Sequence, residues 1–221
     1  FADRTDSSDA ADMETPDSGV PVLLADRITR TETRELAGFA EARYAAGPFE
    51  AAAGLRYTDL QQTLAAQQTS EGIWAPRAEV AFLPAEGVRL FARAARAYRP
   101  GGYNIRATGS ADLLPFATTI GWTYEAGATA TLLDNRLNLS ATGFYLDMDG
   151  VRTTDFLGLP EPAAGLKNHG IELELTAKPI KNLGLWGNFG WQSASYKDNN
   201  PLEPIYTPNV TASAGAFYDL P

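Results

Sequence analysis

The side chains that could do chemistry are few. Glu172 and Glu174 are paired carboxylates of the kind that general acid and base catalysis of glycoside cleavage uses, but two positions apart on an alternating segment they share one strand face, a spacing that any charged wall produces. The single histidine, His169, sits at a loop-to-strand junction and reads as a solvated or hydrogen-bonded residue rather than a metal ligand. With one His and no Cys, neither a multi-His zinc site nor a thiolate nucleophile can be built. Arg89 and Arg93 share the polar face of one segment, where they pair with acidic neighbours and secondarily guide an anionic solute. Arg99, Tyr103, Asn104 and Arg106 cluster just past the end of that segment, and convergent cationic, aromatic and amide groups suit an anionic, aryl-bearing ligand. The competing reading is that Pro100-Gly101-Gly102 is turn chemistry alone, with solvated flanks. No catalytic residue, metal or cofactor is assigned.

The elements that would position these residues are alternating strands. In Arg77 to Asn104, Ala78, Val80 and Phe82 oppose Arg77, Glu79 and Ala81; Pro84 to Gly87 turns the chain; Val88, Leu90, Ala92 and Ala94 then oppose Arg89, Phe91, Arg93 and Ala95. The same pattern predicts strands over Thr31 to Tyr44, Phe49 to Asp59, Thr119 to Leu133, a return strand from Arg136, Gly170 to Lys178, Leu183 to Tyr196, and Asn209 to Tyr218, about nine in all. Glu125, on the polar side of its strand, joins Arg89, Arg93, Glu172 and Glu174 as wall-lining charge. Short turns at Gly47-Pro48, Asp134-Asn135 and Lys181-Asn182 alternate with long polar connections at Gln61 to Gly72, Arg99 to Thr118 and Asp149 to Asn168. Residues 1–30 read as an acidic polar loop or tail, solvating rather than calcium-binding because the spaced oxygen ligands of a calcium loop are missing.

Composition narrows the class. The formal net charge of −9 and pI near 4.6 argue against an electrostatic grip on nucleic acid. No run approaches the roughly 18 apolar residues of a membrane-spanning helix, which leaves a transmembrane barrel open because its strands need only about ten alternating residues each. The chain opens at Phe1 without Met or a signal-like segment, so it reads as an excerpt or processed product. Alternating short and long connections, aromatics near strand ends and a polar face rich in Glu, Arg, Thr, Ser and Asn fit a barrel that is apolar outside and wet inside. The fold expectation is therefore all-β: a portion of an antiparallel transmembrane β-barrel with short periplasmic turns and long extracellular loops.

Specific runs carry a family likeness. Gly54-Leu55-Arg56-Tyr57, Ala97 to Asn104, Trp122 to Gly127 followed by Leu133 to Leu137, Gly143-Phe144-Tyr145, Gly170 to Leu175 and Tyr206 to Thr211, in that order, make residues 31–221 resemble the barrel of TonB-dependent outer-membrane receptors. The resemblance implies uptake of a scarce, bulky solute, most often a ferric siderophore, across a Gram-negative outer membrane. It also implies lipid around the wall, energy from the TonB complex delivered through a plug domain absent from this chain, and Arg99, Tyr103, Asn104 and Arg106 as solute contacts. The alternatives are a passive porin-like channel and a secreted all-β binding module.

Overall fold

The computed structural model describes the backbone of residues 2–14, 22–64, 67–103, 115–151, 164–197, 204 and 207–220. Twelve strands follow in chain order: β1 (Ala2–Glu14), β2 (Val22–Ala46), β3 (Phe49–Leu64), β4 (Gln67–Ala85), β5 (Val88–Arg99), β6 (Gly102–Tyr103), β7 (Pro115–Phe116), β8 (Thr119–Leu132), β9 (Leu137–Val151), β10 (Ala164–Ile180), β11 (Leu183–Tyr196) and β12 (Val210–Tyr218). Ten of them form one sheet in the order β1-β2-β3-β4-β5-β8-β9-β10-β11-β12, every neighbour antiparallel, while β6 and β7 pair as a separate ribbon. Among the described residues there is no helix.

Two expectations are corrected. Residues 2–14 and 22–30, read as a loop or tail, are strand, and β1 pairs with β2 between Val22 and Glu35. The connection read over Gln61 to Gly72 is instead a continuation of β3 and β4, paired up to Leu64 and Gln67. The reason is common to both: near the long-connection end of the sheet polar residues fall on both faces, so the two-residue hydropathy period that betrays a strand is lost while the backbone ladder continues.

The short turns sit at the other end. Gly47 and Gly87 have φ of 56° and 75°, and a Cβ on Gly87 would collide with the Thr131 carbonyl. The turn before β9 spans four residues rather than two, with positive φ at Leu133, Asp134 and Asn135. Each turn is tied to its neighbour by backbone bonds: Leu83 N donates to Pro48 O (2.7 Å), Thr131 N to Gly87 O (2.7 Å), Lys178 N to Arg136 O (2.7 Å) and Asp219 N to Asn182 O (2.9 Å).

Register separates the two faces. On one, directly opposed residues form successive rows: Leu132, Leu137, Ala177, Leu185 and Ala216; then Val88, Ala130, Leu139, Leu175, Gly187 and Ala214; then Leu90, Ala128, Ala141, Leu173, Phe189 and Ala212; then Ala92, Ala126, Gly143, Ile171, Trp191 and Val210. The next row up, Ala94, Tyr124, Tyr145, His169 and Ser193, is aromatic, and the one above it, Arg96, Trp122, Asp147, Lys167 and Ser195, is charged. At about 6.7 Å per row, the five rows up to the aromatic one cover about 27 Å along the strands, or about 20 Å of height at a tilt of about 40°. Aromatic pairs close both ends: Phe49 on Phe82 at 5.0 Å, and Tyr57 on Trp74 at 4.6 Å.

Candidate functional site

The opposite face carries the charge, because the residues between the apolar ones fall there. Arg89, Arg93, Glu125, Glu172 and Glu174 all lie on it by register. Arg93 is directly opposite Glu125 on β8 and Glu79 on β4, and it grips Glu125 through both Nε (2.8 Å) and Nη2. Arg89 pairs with Glu79 and, at 3.5 Å, with Glu50. Both guanidinium groups flank the Phe91 ring, at 5.7 and 5.6 Å from its centre.

The alternation placed Arg77 and Glu79 on the polar face, but partner choice depends on register, and this hid a longer network. Arg56 bonds Glu35 at 2.9 Å, and Glu41 holds both Arg43 (2.6 Å) and Arg77. On this face, β2 to β8 therefore match Arg43, Arg56, Arg77, Arg89 and Arg93 with Glu35, Glu41, Glu50, Glu79 and Glu125. By contrast Glu172 and Glu174, on β10, form no ion pair among the described residues. They border an open hollow with Asn188, Gly190, Thr211 and Ser213. Large side chains lie over glycines on the next strand of this face: Phe91 over Gly127, Phe144 over Gly170, Trp186 over Gly215 and Phe217 over Gly184.

At the long-connection end the β6–β7 ribbon turns in against β3 and β4. Gly101 N donates to Thr118 Oγ1 (3.0 Å), whose hydroxyl in turn donates to Glu71, and the side chains of Gln62 and Phe116 crowd Gly102. Here the described chain has its apolar interior: Leu60, Leu64, Ile73 and Tyr103 are each no more than 6% exposed. Thr58, fully buried, accepts from Arg56 Nε (3.1 Å) and Tyr98 Oη (2.8 Å).

Of the four solute contacts expected from the sequence, Arg99 is exposed at the end of β5, Tyr103 is buried, and Asn104 and Arg106 lie outside the described residues. Tyr103 is buried because the ribbon folds onto its neighbours instead of projecting. His169 lies within β10 on the apolar-bearing face, edge-on to Trp191 at 5.8 Å. No group of three or more potential metal ligands occurs among the described residues. The arrangement offers a wall of fixed charges and hydrogen-bonding groups.

Comparison with known proteins gives this wall a lineage. The family described as TonB dependent receptor-like, beta-barrel, matches residues 2–221. The metal-pseudopaline receptor CntO of Pseudomonas aeruginosa, in strains UCBPP-PA14 and PAO1, is 30% identical over 154 residues, covering 68% of this chain and 21% of the receptor. Among solved structures, the ferric yersiniabactin uptake receptor FyuA from Yersinia pestis superposes with a TM-score of 0.80 at 18% identity, over 97% of this chain and 35% of that one. The ferric-catecholate import receptor Fiu from E. coli K12 gives 0.77 at 16% identity, over 98% of this chain and 38% of that one. The outer-membrane ferripyoverdine receptor of P. aeruginosa, bound to ferripyoverdine, gives 0.74 at 17%, over 91% and 28%. The chain thus spans 21% of the length of the curated relatives it matches.

Proposed function

The chain belongs to the TonB-dependent receptor β-barrel family, a family of transport receptors rather than enzymes, and we propose that it forms part of the wall of an outer-membrane active transporter for a chelated metal, a ferric siderophore or a comparably scarce, bulky solute. The carrying observation is the division of one ten-stranded sheet into an apolar face banded by aromatics and a charged face of register-matched Arg and Glu. Apolar rows on the outside suit hydrocarbon, and a polar face suits a hydrated lumen. Arg89, Arg93, Glu125, Glu172 and Glu174 would then line the lumen. The relatives are receptors for metal-pseudopaline, ferric yersiniabactin and ferripyoverdine, which favours a metal chelate as cargo. A plug and a TonB-contacting segment would belong to the remainder of the receptor.

Within this reading Arg99, with Asn104 and Arg106, contacts solute, and the buried side chain of Tyr103 anchors the ribbon that carries them. Affinity of the whole receptor for a ferric chelate, compared among Arg99→Ala, Arg106→Ala, Tyr103→Ala and a control in another connection, Asp155→Ala, tests the assignment: a contact costs about 1 kcal/mol or more, several-fold in Kd. Unchanged binding in all three would remove this loop from the site. Transport is tested separately by uptake of radiolabelled iron chelate into cells with and without an energised inner membrane. Energy-independent uptake would favour the passive channel instead.

A further inference from the structure

The charged face changes character at the turn end of β9 to β12. Arg43, Arg56, Arg77, Arg89 and Arg93 each have a glutamate partner on that face, whereas Arg136 and Lys178 stand opposite each other, with Lys178 N donating to Arg136 O at 2.7 Å. Like charges opposed across a ladder repel. The adjoining pair on the same face, Asn138 and Thr176, is joined by a side-chain hydrogen bond of 3.3 Å. Pro179, which has no N–H, falls where the β10–β11 register shifts, and the turn after it brings Lys181 to the same place. Together these residues border a hollow of about 420 Å³, lined by the three cations, by Asp219 and by the Phe217 ring, which lies over Gly184. Trp186, one row further in and lying over Gly215, extends the aromatic surface on this face. All three cations are exposed, and none forms an ion pair among the described residues. The acidic residues at this end of β9 to β12, Asp219 in the hollow and Asp134 in the turn before Arg136, form none either, and they are outnumbered. Glu174, four residues back along β10, is about 13 Å away.

We infer that this hollow is an exit-side site for an anionic, aryl-bearing metal chelate, whose charged oxygens accept hydrogen bonds from Arg136, Lys178 and Lys181 while its rings stack on Phe217 and Trp186. The inference deepens the transporter reading above and rests on it. Arg99 lies at the opposite end of the strands, so a solute held at the turns has already traversed the charged face. Aromatic surface beside the cations, and a volume within the usual range of small-molecule sites, favour a chelate over a small inorganic anion.

The whole receptor in detergent micelles, which leave both ends of the strands accessible, is dialysed to equilibrium against the trianion ferric tris(catecholate) or against an uncharged ferric trihydroxamate. The expected result is two classes of site for the trianion. Arg136→Gln/Lys178→Gln should lower the affinity of one class about ten-fold and spare the class that Arg99→Ala weakens, while Lys178→Arg keeps both. The double variant removes a repelling pair, so its gel mobility without heating should match that of the unmodified receptor. Unchanged affinity in the double variant, or equal occupancy of that class by the uncharged chelate, overturns the exit-side site. Unchanged chelate binding accompanied by faster proteolysis of the rest of the receptor also overturns it, by assigning the cations to the receptor's own acidic groups. Energised iron uptake alongside any of these results leaves the transporter reading standing, whereas energy-independent uptake by the unmodified receptor overturns that reading itself.

Discussion

Leu173→Arg probes which face meets hydrocarbon. Leu173 lies in the third of the five rows that run up to the aromatic one, between Ala141 and Phe189, so it marks the midplane of an apolar band about 20 Å high. A cation on the lipid face at that depth costs about 2 to 4 kcal/mol, falling to about 0 to 1 near either interface. Leu173→Arg should therefore lower the ratio of folded to unfolded receptor by about 30-fold to several hundred-fold. Ala177→Arg, two rows nearer the turns on the same strand and face, should cost no more than about five-fold in that ratio. Thr176→Arg, on the charged face opposite Trp186, should be mild. Denaturant titration in vesicles, read by the mobility of the unheated protein on gels, gives all three values under one condition. A depth-independent cost, or equal cost at Leu173 and Thr176, would refute the assignment of faces.

Three further outcomes follow from the same geometry. Gly127→Ala should destabilise by about 1 to 3 kcal/mol, since the new methyl would lie 2.8 Å from the Phe91 ring and 2.5 Å from the Ala141 carbonyl, whereas Gly143→Ala, with nothing nearer than 3.9 Å, should be neutral in the same titration. Thr118→Val removes the hydroxyl shared by Gly101 and Glu71, so limited proteolysis should cut faster within residues 100–118 while the strands stay protected. At the top of β9 and β11, the hydrogen bonds that Lys197 donates to Asp147 and then Asp149 hold it above the ordinary lysine value of 10.5, and the bond from Lys197 holds Asp147 below 3.8 against partial desolvation. A lowered carboxylate stabilises above its unfolded value and loses this as pH falls through the folded one, and a raised lysine does the reverse. The Lys197→Met effect on local hydrogen exchange should therefore be constant between about pH 5 and 9 and fade in both strong acid and strong alkali.

How much of this could be read from the sequence depended on the surroundings of each segment. Leu183 to Tyr196 is strand over the full predicted span, and Gly170 to Lys178 lies wholly inside β10, because there one face is apolar and the other polar. β2, β3 and β4 extend further than predicted at the long-connection end, where polar residues fall on both faces and break the alternation. Alternation also placed Arg89, Arg93, Glu125, Glu172 and Glu174 on a common face. It did not reveal that Arg93 is paired while Glu172 is not, because partner choice is fixed by inter-strand register, which no local pattern encodes. The burial of Tyr103 was hidden for a different reason: it arises from an inward fold of a ribbon only two residues wide on each side.

The placement of apolar surface gives the last constraint on what surrounds this sheet. A soluble chain with 44% hydrophobic residues would gather them into a core, yet four of the five buried hydrophobic residues among those described, Leu60, Leu64, Ile73 and Tyr103, belong to the small cluster under the β6–β7 ribbon. Ile171, Leu173 and Leu175 are 43%, 43% and 39% exposed, and they stand in rows with the large side chains of their neighbours. In water such a surface would forfeit about 25 cal/mol for every Å² left unburied, with no internal layer to recover it. In hydrocarbon the same surface costs nothing, and the antiparallel ladders satisfy the backbone groups between neighbouring strands, as a membrane requires. Stability then resides in strand pairing and in the surrounding medium, so substitutions should be judged by the face and depth they occupy rather than by how many side chains they touch.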